Sequence, residues 1–151
     1  MLKKLTNQDR DEVSKLLSSY WAERGMPEYD EKWAKEYLLE GHKKEIANDE
    51  FFVYKKSNKI IGTISLITDV SNVAEIRDFV VKPKFRGKGY GKKILRELIK
   101  LAEFRKIRKL YALAFPKFEK FLSSEGFEKE GLLKNHFAKG EDLIIMSKFL
   151  I

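Results

Sequence analysis

Three glycines and four basic residues fall within the eight positions from Arg86 to Lys93, shortly after an apolar segment that ends at Val81. Glycine lets the backbone approach a bulky group closely, because no Cβ intervenes. The apolar periodicity that follows predicts a helix over residues 89–104, and the unpaired N–H groups at a helix N-terminus bind phosphate. The segment therefore predicts an anion site, and the ligand that fits it is a pyrophosphate.

Two common nucleotide-binding motifs do not match this segment. A P-loop needs Gly-Lys-Ser or Gly-Lys-Thr after its spacer, and the chain contains neither sequence. A dinucleotide fingerprint reads Gly-x-Gly-x-x-Gly, whereas the glycines here stand at every second position. The structural alternative is a turn that only joins a strand to a helix, and the density of glycine and positive charge disfavours it.

The pattern of apolar residues predicts an α+β (mixed α/β) domain with one central sheet over residues 1–151. The predicted order is β-α-α-β-β-β-α-β-α-β-β, with an antiparallel meander of three strands before the glycine motif. The predicted strands cover 1–5, 51–54, 60–67, 73–81, 110–115, 127–137 and 143–149. The predicted helices begin near Thr6, Asp30, Gly89 and Pro116.

Composition narrows the function classes without deciding among them. Lys and Arg number 31 against 23 Asp and Glu, and a net charge of +8 favours nucleic acid, an anionic membrane or a phosphate-rich small molecule. Interspersed lysine and glutamate are equally typical of heat adaptation. The absence of cysteine excludes disulfides and a cysteine nucleophile, so we expect a cytoplasmic location. We expect no membrane span and, with His42 and His136 isolated in sequence, no metal.

The sequence from Arg86 to Gly91 resembles the Arg/Gln-x-x-Gly-x-Gly/Ala signature of the GNAT acetyltransferase superfamily. Three flanking features resemble the family's usual frame: Phe79-x-Val81-x-Pro83, Ile94-Leu95 and Glu125-Gly126-Phe127. The element order matches over almost the full chain. The resemblance implies a mostly antiparallel central sheet flanked by helices, and an N-acetyltransferase that uses acetyl-coenzyme A as cosubstrate.

The resemblance also gives each part of the motif a role. The turn N–H groups would hold the coenzyme A pyrophosphate, and the backbone of Phe79 and Val81 would pair with pantetheine like an added strand. One N–H in that stretch would polarise the thioester carbonyl. The cofactor-binding residues predicted in this way are Phe79, Val80, Val81, Arg86, Gly87, Lys88, Gly89, Tyr90, Gly91 and Lys92. Acetyl would pass directly to the amine, so no cysteine is needed.

A base must deprotonate the acceptor, because an ammonium with a pKa of about 10.4 cannot attack a thioester. Glu75 is the first catalytic candidate, since it lies eleven residues before Arg86, the spacing found in the histone-acetylating branch of the family. A solvated carboxylate, or an ion-pair partner of Arg77, is the alternative for Glu75. Asp78 is the second candidate, and strand alternation places it on the opposite face from Glu75.

The family's usual acid, a tyrosine, falls on Leu122 in this chain, and its common asparagine falls on Phe115. Ser123 or Ser124 is a substitute donor, or no acid is needed, because a thiol pKa of about 8.5 makes thiolate a tolerable leaving group. These departures keep open a coenzyme A-binding regulatory module without catalysis. A basic nucleic-acid-binding domain is a further hypothesis, although no known binding module is present.

The acceptor is predicted only as a primary amine: a protein N-terminus, a lysine or a small amine. Residues 24–31 correspond to a family loop that often lines the acceptor site, and three carboxylates there could attract a cation: Glu28, Asp30 and Glu31. A solvated loop is the alternative. Dimers are common in the family, so a homodimer is a further expectation.

Overall fold

The computed structural model describes all 151 residues, which form two compact units, Met1–Ile46 and Ala47–Ile151. The helices are α1 (Arg10–Glu23), α2 (Glu31–Glu40), α3 (Tyr90–Phe104) and α4 (Glu119–Ser124). The strands are β1 (Ile46–Lys56), β2 (Lys59–Asp69), β3 (Val73–Val81), β4 (Lys109–Ala114), β5 (Glu128–Ala138) and β6 (Glu141–Phe149). No helix is long and apolar enough to cross a membrane. That residues 1–151 act as one domain stays a prediction.

The first unit contains the helices α1 and α2. Helix α2 begins directly after Asp30, as the sequence predicts, whereas α1 begins at Arg10, one 3₁₀ turn after the predicted start near Thr6. The Thr6 N–H and hydroxyl each donate to the Asp9 carboxylate at 2.8 Å, in a short 3₁₀ turn that leads into α1. Asp30 caps α2 by accepting from the Trp33 N–H at 2.8 Å. Four rings pack against one another with centroids 4.6–5.9 Å apart: Trp21, Tyr29, Trp33 and Tyr37. The aromatic contacts hold this helical hairpin together.

The predicted first strand over residues 1–5 is wrong. Residues 1–6 form no regular element, and the side chains of Met1 and Leu2 are fully exposed. A strand needs a partner for its backbone groups and an apolar face to bury. This segment has two adjacent lysines, Lys3 and Lys4, and too little apolar alternation to favour pairing.

The second unit is built on a six-stranded sheet with the order β1-β2-β3-β4-β6-β5. The pairs β2–β3, β4–β6 and β5–β6 are antiparallel, whereas β3 and β4 run parallel. Ser57 and Asn58 take positive φ values of 49° and 61°, as a two-residue hairpin turn between β1 and β2 requires. The predicted α+β class with a mostly antiparallel sheet is confirmed.

The core lies where α3 covers one face of this sheet. The buried stripe of α3 is Ile94, Leu95, Leu98, Ile99 and Ala102. It packs against buried sheet residues such as Leu66, Ile76 and Met146. Ala102 rather than the larger Leu101 completes this stripe, and Leu101 is only half-buried, because a helix with 3.6 residues per turn carries position 102 further into the core face.

An ion pair ties α3 to the turn that follows α4. The Arg96 Nε and Nη2 donate to the Glu125 carboxylate at 2.8 and 3.1 Å. The Glu125 side chain is only 5% exposed, whereas that of Arg96 is 62% exposed. The hydrogen bonds from Arg96 hold the pKa of Glu125 below its ordinary value. The pair therefore fixes the helix that carries the glycine motif against the C-terminal half of the sheet.

We expect Glu125→Gln to lower the free energy of unfolding at pH 7 by about 1–2 kcal/mol, because a buried charge-assisted pair is lost. Because the pKa of Glu125 is lower in the folded protein than in the unfolded chain, the ionised carboxylate stabilises the protein at pH values above the ordinary glutamate pKa of about 4.3. This stabilisation disappears as the pH falls through the lower pKa of the folded protein. The difference between wild type and variant, measured by urea unfolding, should therefore shrink below about pH 4.

Glu119→Gln is the matched control for this change. Glu119 forms an exposed pair with Lys129 at 3.7 Å, and exposed pairs contribute little to stability. A loss at Glu125 that equals the loss at Glu119 would contradict a role for the buried pair.

Candidate active site

The strands β3 and β4 pair over only three residues and then separate. Val73–Glu75 align with Lys109–Tyr111, and no further β3–β4 pairs follow. Beyond this point β3 continues on β2 as far as Val81, while β4 continues on β6 as far as Ala114. The side of β3 that faces β4 is therefore unpaired from Ile76 to Val81, a length of about 20 Å at 3.3 Å per residue.

A β-bulge lies in the unpaired stretch of β3. Ser65 aligns with Arg77, but Thr63 aligns with Val80, so two β3 residues oppose one residue of β2. Asp78 is the bulged residue and takes a positive φ of 50°. A bulge bends its strand and increases the local twist. This bend accounts for the departure of β3 from β4.

The glycine motif forms the turn between β3 and α3. Gly87 and Gly89 have φ values of 71° and 85°, which favour glycine, and a Cβ on either residue would point into open space. The Arg86 Nε donates to the Val81 carbonyl at 2.8 Å, so the Arg86 side chain ties the turn to the end of β3. The backbone of the turn is thus exposed and fixed.

The N–H groups of this turn point to an anion site. Gly89 is the N-cap residue of α3, and its carbonyl accepts the N–H of Lys93 at 3.3 Å. The N–H groups of Gly87, Lys88 and Gly89 donate to no backbone carbonyl. The N–H groups in the first turn of a helix likewise have no acceptor within the helix. Donors aligned at the positive end of a helix dipole bind phosphate.

Lysines around Tyr90 make this end of α3 strongly positive. The Lys56 Nζ donates to the Tyr90 hydroxyl at 3.1 Å, and the Lys93 Nζ lies 5.3 Å from the Tyr90 ring centroid. The hydrogen bond from Lys56 lowers the pKa of Tyr90, and the charges of Lys93 and Lys88 add to this effect. Lys92 is exposed on the same first turn. This positive field would attract a pyrophosphate.

Phe79 and Gly91, two predicted cofactor-binding residues, contact α4. The Phe79 and Phe121 ring centroids are 6.1 Å apart, and a Cβ on Gly91 would meet the Phe121 ring at 3.6 Å. Val80 is 49% exposed on the neighbouring backbone. The predicted cofactor residues therefore line one continuous path, from the unpaired edge of β3 to the first turn of α3.

Glu75 lies at the point where β3 and β4 separate. It is 8% exposed and aligns with Tyr111 in the last β3–β4 pair. The Arg77 Nε and Nη2 each donate to a different Glu75 oxygen at 2.8 Å, and the Tyr111 hydroxyl donates to Oε2 at 3.3 Å. The carboxylate raises the pKa of Arg77 through these hydrogen bonds. Glu75 is thus both at the separation point and paired with Arg77.

Asp78 does not lie on the face that alternation predicts. The Ser65 hydroxyl donates to the Asp78 carboxylate at 2.6 Å, and Ser65 stands directly opposite Arg77 on β2. Cross-strand partners share a face, so the Asp78 carboxylate reaches the face that carries Glu75 and Arg77. The bulge interrupts the alternation on which the prediction of opposite faces rested.

The positions where the family usually places its tyrosine and asparagine are apolar and packed. Leu122 is 5% exposed in the core, and the Phe115 ring packs against Phe137 with centroids 4.9 Å apart. Ser123 is exposed, and the Ser124 hydroxyl donates to the Phe121 carbonyl at 2.6 Å. The structure therefore offers no hydroxyl at position 122, and the Ser124 hydroxyl is engaged within its own helix.

Tyr111 contacts the predicted base Glu75, and sequence reasoning did not select it. The only local signal was one residue with a polar tip in the otherwise apolar strand Leu110–Ala114. Its contact with Glu75 depends on a parallel register between residues 36 apart in sequence, which no local pattern specifies.

Comparison with known proteins identifies the family of this chain. The family model described as the acetyltransferase (GNAT) family matches residues 11–120. The chain belongs to this family. An uncharacterised N-acetyltransferase of Methanocaldococcus jannaschii is 32% identical over 111 residues, which is 67% of this chain and 48% of that protein. The chain spans about half the length of the curated relatives it matches.

Solved acetyltransferase structures share the fold. An aminoglycoside 6′-N-acetyltransferase crystallised with coenzyme A has a TM-score of 0.63 at 17% identity, with coverage of 99% of this chain and 95% of that one. A GNAT family acetyltransferase from Elizabethkingia anophelis with acetyl-CoA bound has a TM-score of 0.61 at 22% identity, with coverage of 74% and 81%. At these identities the likeness establishes the fold alone.

We expect Gly89→Val to abolish coenzyme A binding while the protein stays folded. A branched side chain would stand over the N–H groups of the turn, and the positive φ would add strain of about 1–2 kcal/mol. Gly140→Val is the matched control, because Gly140 has a similar φ of 82° and open space around its Cβ, but lies in the β5–β6 turn. Calorimetric titration with coenzyme A should show binding in the control only. Wild-type affinity in folded Gly89→Val would place the phosphates elsewhere.

Proposed function

We propose that this chain transfers the acetyl group of acetyl-coenzyme A directly to a primary amine. The observation that carries the proposal is the unpaired edge of β3, which leads from the Glu75–Tyr111 pair to the exposed N–H groups of Gly87 and Gly89. Family membership and the coenzyme-bound relatives support this reading.

The residues present fit this cosubstrate. The turn N–H groups from Gly87 to Gly91 would hold the pyrophosphate, with Lys88 and Lys92 supplying positive charge nearby. The backbone groups of residues 79–81 that face away from β2, other than the Val81 carbonyl that accepts from Arg86, would pair with the extended pantetheine arm, as an added strand pairs with a sheet edge. Acetyl-coenzyme A would supply an acetyl thioester at the Glu75 end of this path.

Glu75 would remove the proton from the acceptor amine. Its carboxylate lies at the separation point, largely shielded from solvent, and Arg77 fixes its orientation through two hydrogen bonds. Asp78 is the second candidate base, because the bulge brings its carboxylate to the same face. Direct transfer to the amine forms no acyl-enzyme and therefore needs no nucleophilic cysteine, and the chain contains none.

A coenzyme A-binding module without catalysis is the second candidate function. Two observations favour it: Leu122 replaces the usual tyrosine, and both oxygens of Glu75 are engaged by Arg77. The two functions differ in one measurable property, since only the enzyme releases free thiol when an amine is added.

The test is thiol release from acetyl-coenzyme A over a panel of primary amines. The panel should contain a polyamine, an aminoglycoside, a peptide with a free N-terminus and a peptide with an internal lysine. Amine-dependent release establishes the transferase and identifies the acceptor class. Tight coenzyme binding without release for any amine would favour the binding module.

We expect Glu75→Gln to lower kcat by about 10²–10⁴-fold, because glutamine keeps the shape but cannot accept the proton of the amine. The calorimetric affinity for acetyl-coenzyme A should stay near that of the wild type, since its proposed contacts lie between Phe79 and Lys92. The defect should shrink at high pH, where more of the amine is already deprotonated.

Glu50→Gln is the matched control for Glu75→Gln. Glu50 also accepts two hydrogen bonds from one arginine, Arg105, but that pair joins β1 to the end of α3. Full activity of Glu75→Gln at neutral pH would make Glu75 a structural residue and move the test to Asp78.

A further inference from the structure

A row of polar side chains crosses the sheet on the face opposite α3. Glu75 aligns with Tyr111 across the parallel pair, and Tyr111 aligns with Ser147 across β4 and β6. Glu75 and Ser147 are 8% and 1% exposed. Arg77 lies two positions from Glu75 on the same face and donates to it. The row thus places the buried Glu75 carboxylate and the buried Ser147 hydroxyl beside the half-buried Tyr111, with the exposed Arg77 at its edge.

Stability does not account for this row. Burying the Glu75 carboxylate removes most of its hydration, and well-packed apolar residues at such positions are often as stable or more so. Leu143, four positions from Ser147 on β6 and on the same face, is 9% exposed, so this face also accommodates a buried apolar residue. Clusters of shielded, interacting titratable groups are a feature of functional sites.

The row lies at the reacting end of the proposed cosubstrate path. The pyrophosphate turn is at the C-terminal end of β3, and the unpaired edge runs back from Val81 to Ile76. The next residue along this edge is Glu75, which contacts Tyr111 at 3.3 Å. A pantetheine arm that follows the edge therefore ends beside Glu75 and Tyr111. Leu122, at the position of the family's usual acid, has no proton to give.

We propose that Tyr111 is the proton donor of the acetyl transfer and that Glu75 returns a proton to it. This inference rests on the proposed function and supplies the acid that the sequence lacks at position 122. Tyr111 would act as the acid, and its hydrogen bond to Glu75 would carry the returning proton.

The proton balance closes with water as the only further proton acceptor. Glu75 takes one proton from the ammonium, the neutral nitrogen bonds to the acetyl carbon, and the second proton that this nitrogen loses on becoming an amide leaves to water. As the carbon–sulfur bond breaks, Tyr111 donates its hydroxyl proton to the leaving sulfur. Glu75 then gives its proton to the Tyr111 oxygen through the hydrogen bond that already joins them. One proton has moved from nitrogen to sulfur, and both side chains regain their starting forms.

The surroundings of Tyr111 keep its hydroxyl protonated until it is used. Burial raises the pKa of Tyr111, and the negative charge of Glu75 and its hydrogen bond raise it further. The other charged groups that act on Tyr111 are Arg77, which lowers its pKa, and Asp69 at the end of β2, which raises it. Tyr111 therefore stays neutral at pH 7 and retains the proton that it would donate.

The test combines kinetics with tyrosine titration in Tyr111→Phe, Glu75→Gln and the double variant. We expect Tyr111→Phe to lower kcat by about 10²-fold with an unchanged KM for acetyl-coenzyme A. The double variant should be no slower than the slower single variant, because the two residues act on one proton path. Tyr20→Phe, an exposed tyrosine on α1, is the control for loss of a hydroxyl.

The second readout needs no catalysis. In ¹³C-tyrosine NMR, the Tyr111 signal is assigned by its absence in Tyr111→Phe. Its pKa should fall in Glu75→Gln, because the neighbouring negative charge is removed, and stay unchanged in Glu50→Gln. Wild-type kcat in Tyr111→Phe, multiplicative losses in the double variant, or a Tyr111 pKa that ignores Glu75→Gln would each overturn the proposal.

Failure of the proposed function would look different. A wild-type protein that releases no thiol with any amine would overturn the transferase assignment itself. Active wild type with equally active Tyr111→Phe would overturn only the role of Tyr111.

Discussion

The short parallel pairing between β3 and β4 is the constraint on which the site depends. Pairing ends at Glu75 and Tyr111, and each strand then follows its antiparallel neighbour. A longer pairing would occupy the backbone groups from Ile76 to Val81, and no free sheet edge would lead to the glycine turn. The bulge at Asp78 maintains the separation, because it bends β3 where the gap opens.

Three local contacts hold the two ends of this path in place. The Arg86 side chain fixes the turn to the Val81 carbonyl, and Ser65 binds the bulged Asp78. Arg96 and Glu125 fix α3 against the segment after α4. Two of these contacts lie where the backbone departs from regular geometry, at the bulge and at the glycine turn. The glycine turn and the polar row thus remain at opposite ends of one edge.

Sequence patterns could predict most elements and the glycine turn before α3, because both are local. The period of α3 and the spacing of Gly87, Gly89 and Gly91 specify a helix whose N-terminus is open. The separation of the strands could not be predicted in this way, since it depends on register between distant segments and on one positive φ at Asp78. The same limit explains why Asp78 was assigned to the wrong face and why Tyr111 was missed.

Hydrogen–deuterium exchange with and without acetyl-coenzyme A tests the central claim most directly. A cosubstrate that pairs with the β3 edge and binds the turn should slow amide exchange in two segments, 76–81 and 87–92. Exchange in the β5–β6 turn around Gly140 should stay unchanged and serves as the internal reference. Unaltered exchange in both segments at saturating acetyl-coenzyme A, or protection confined to other parts of the chain, would contradict this account.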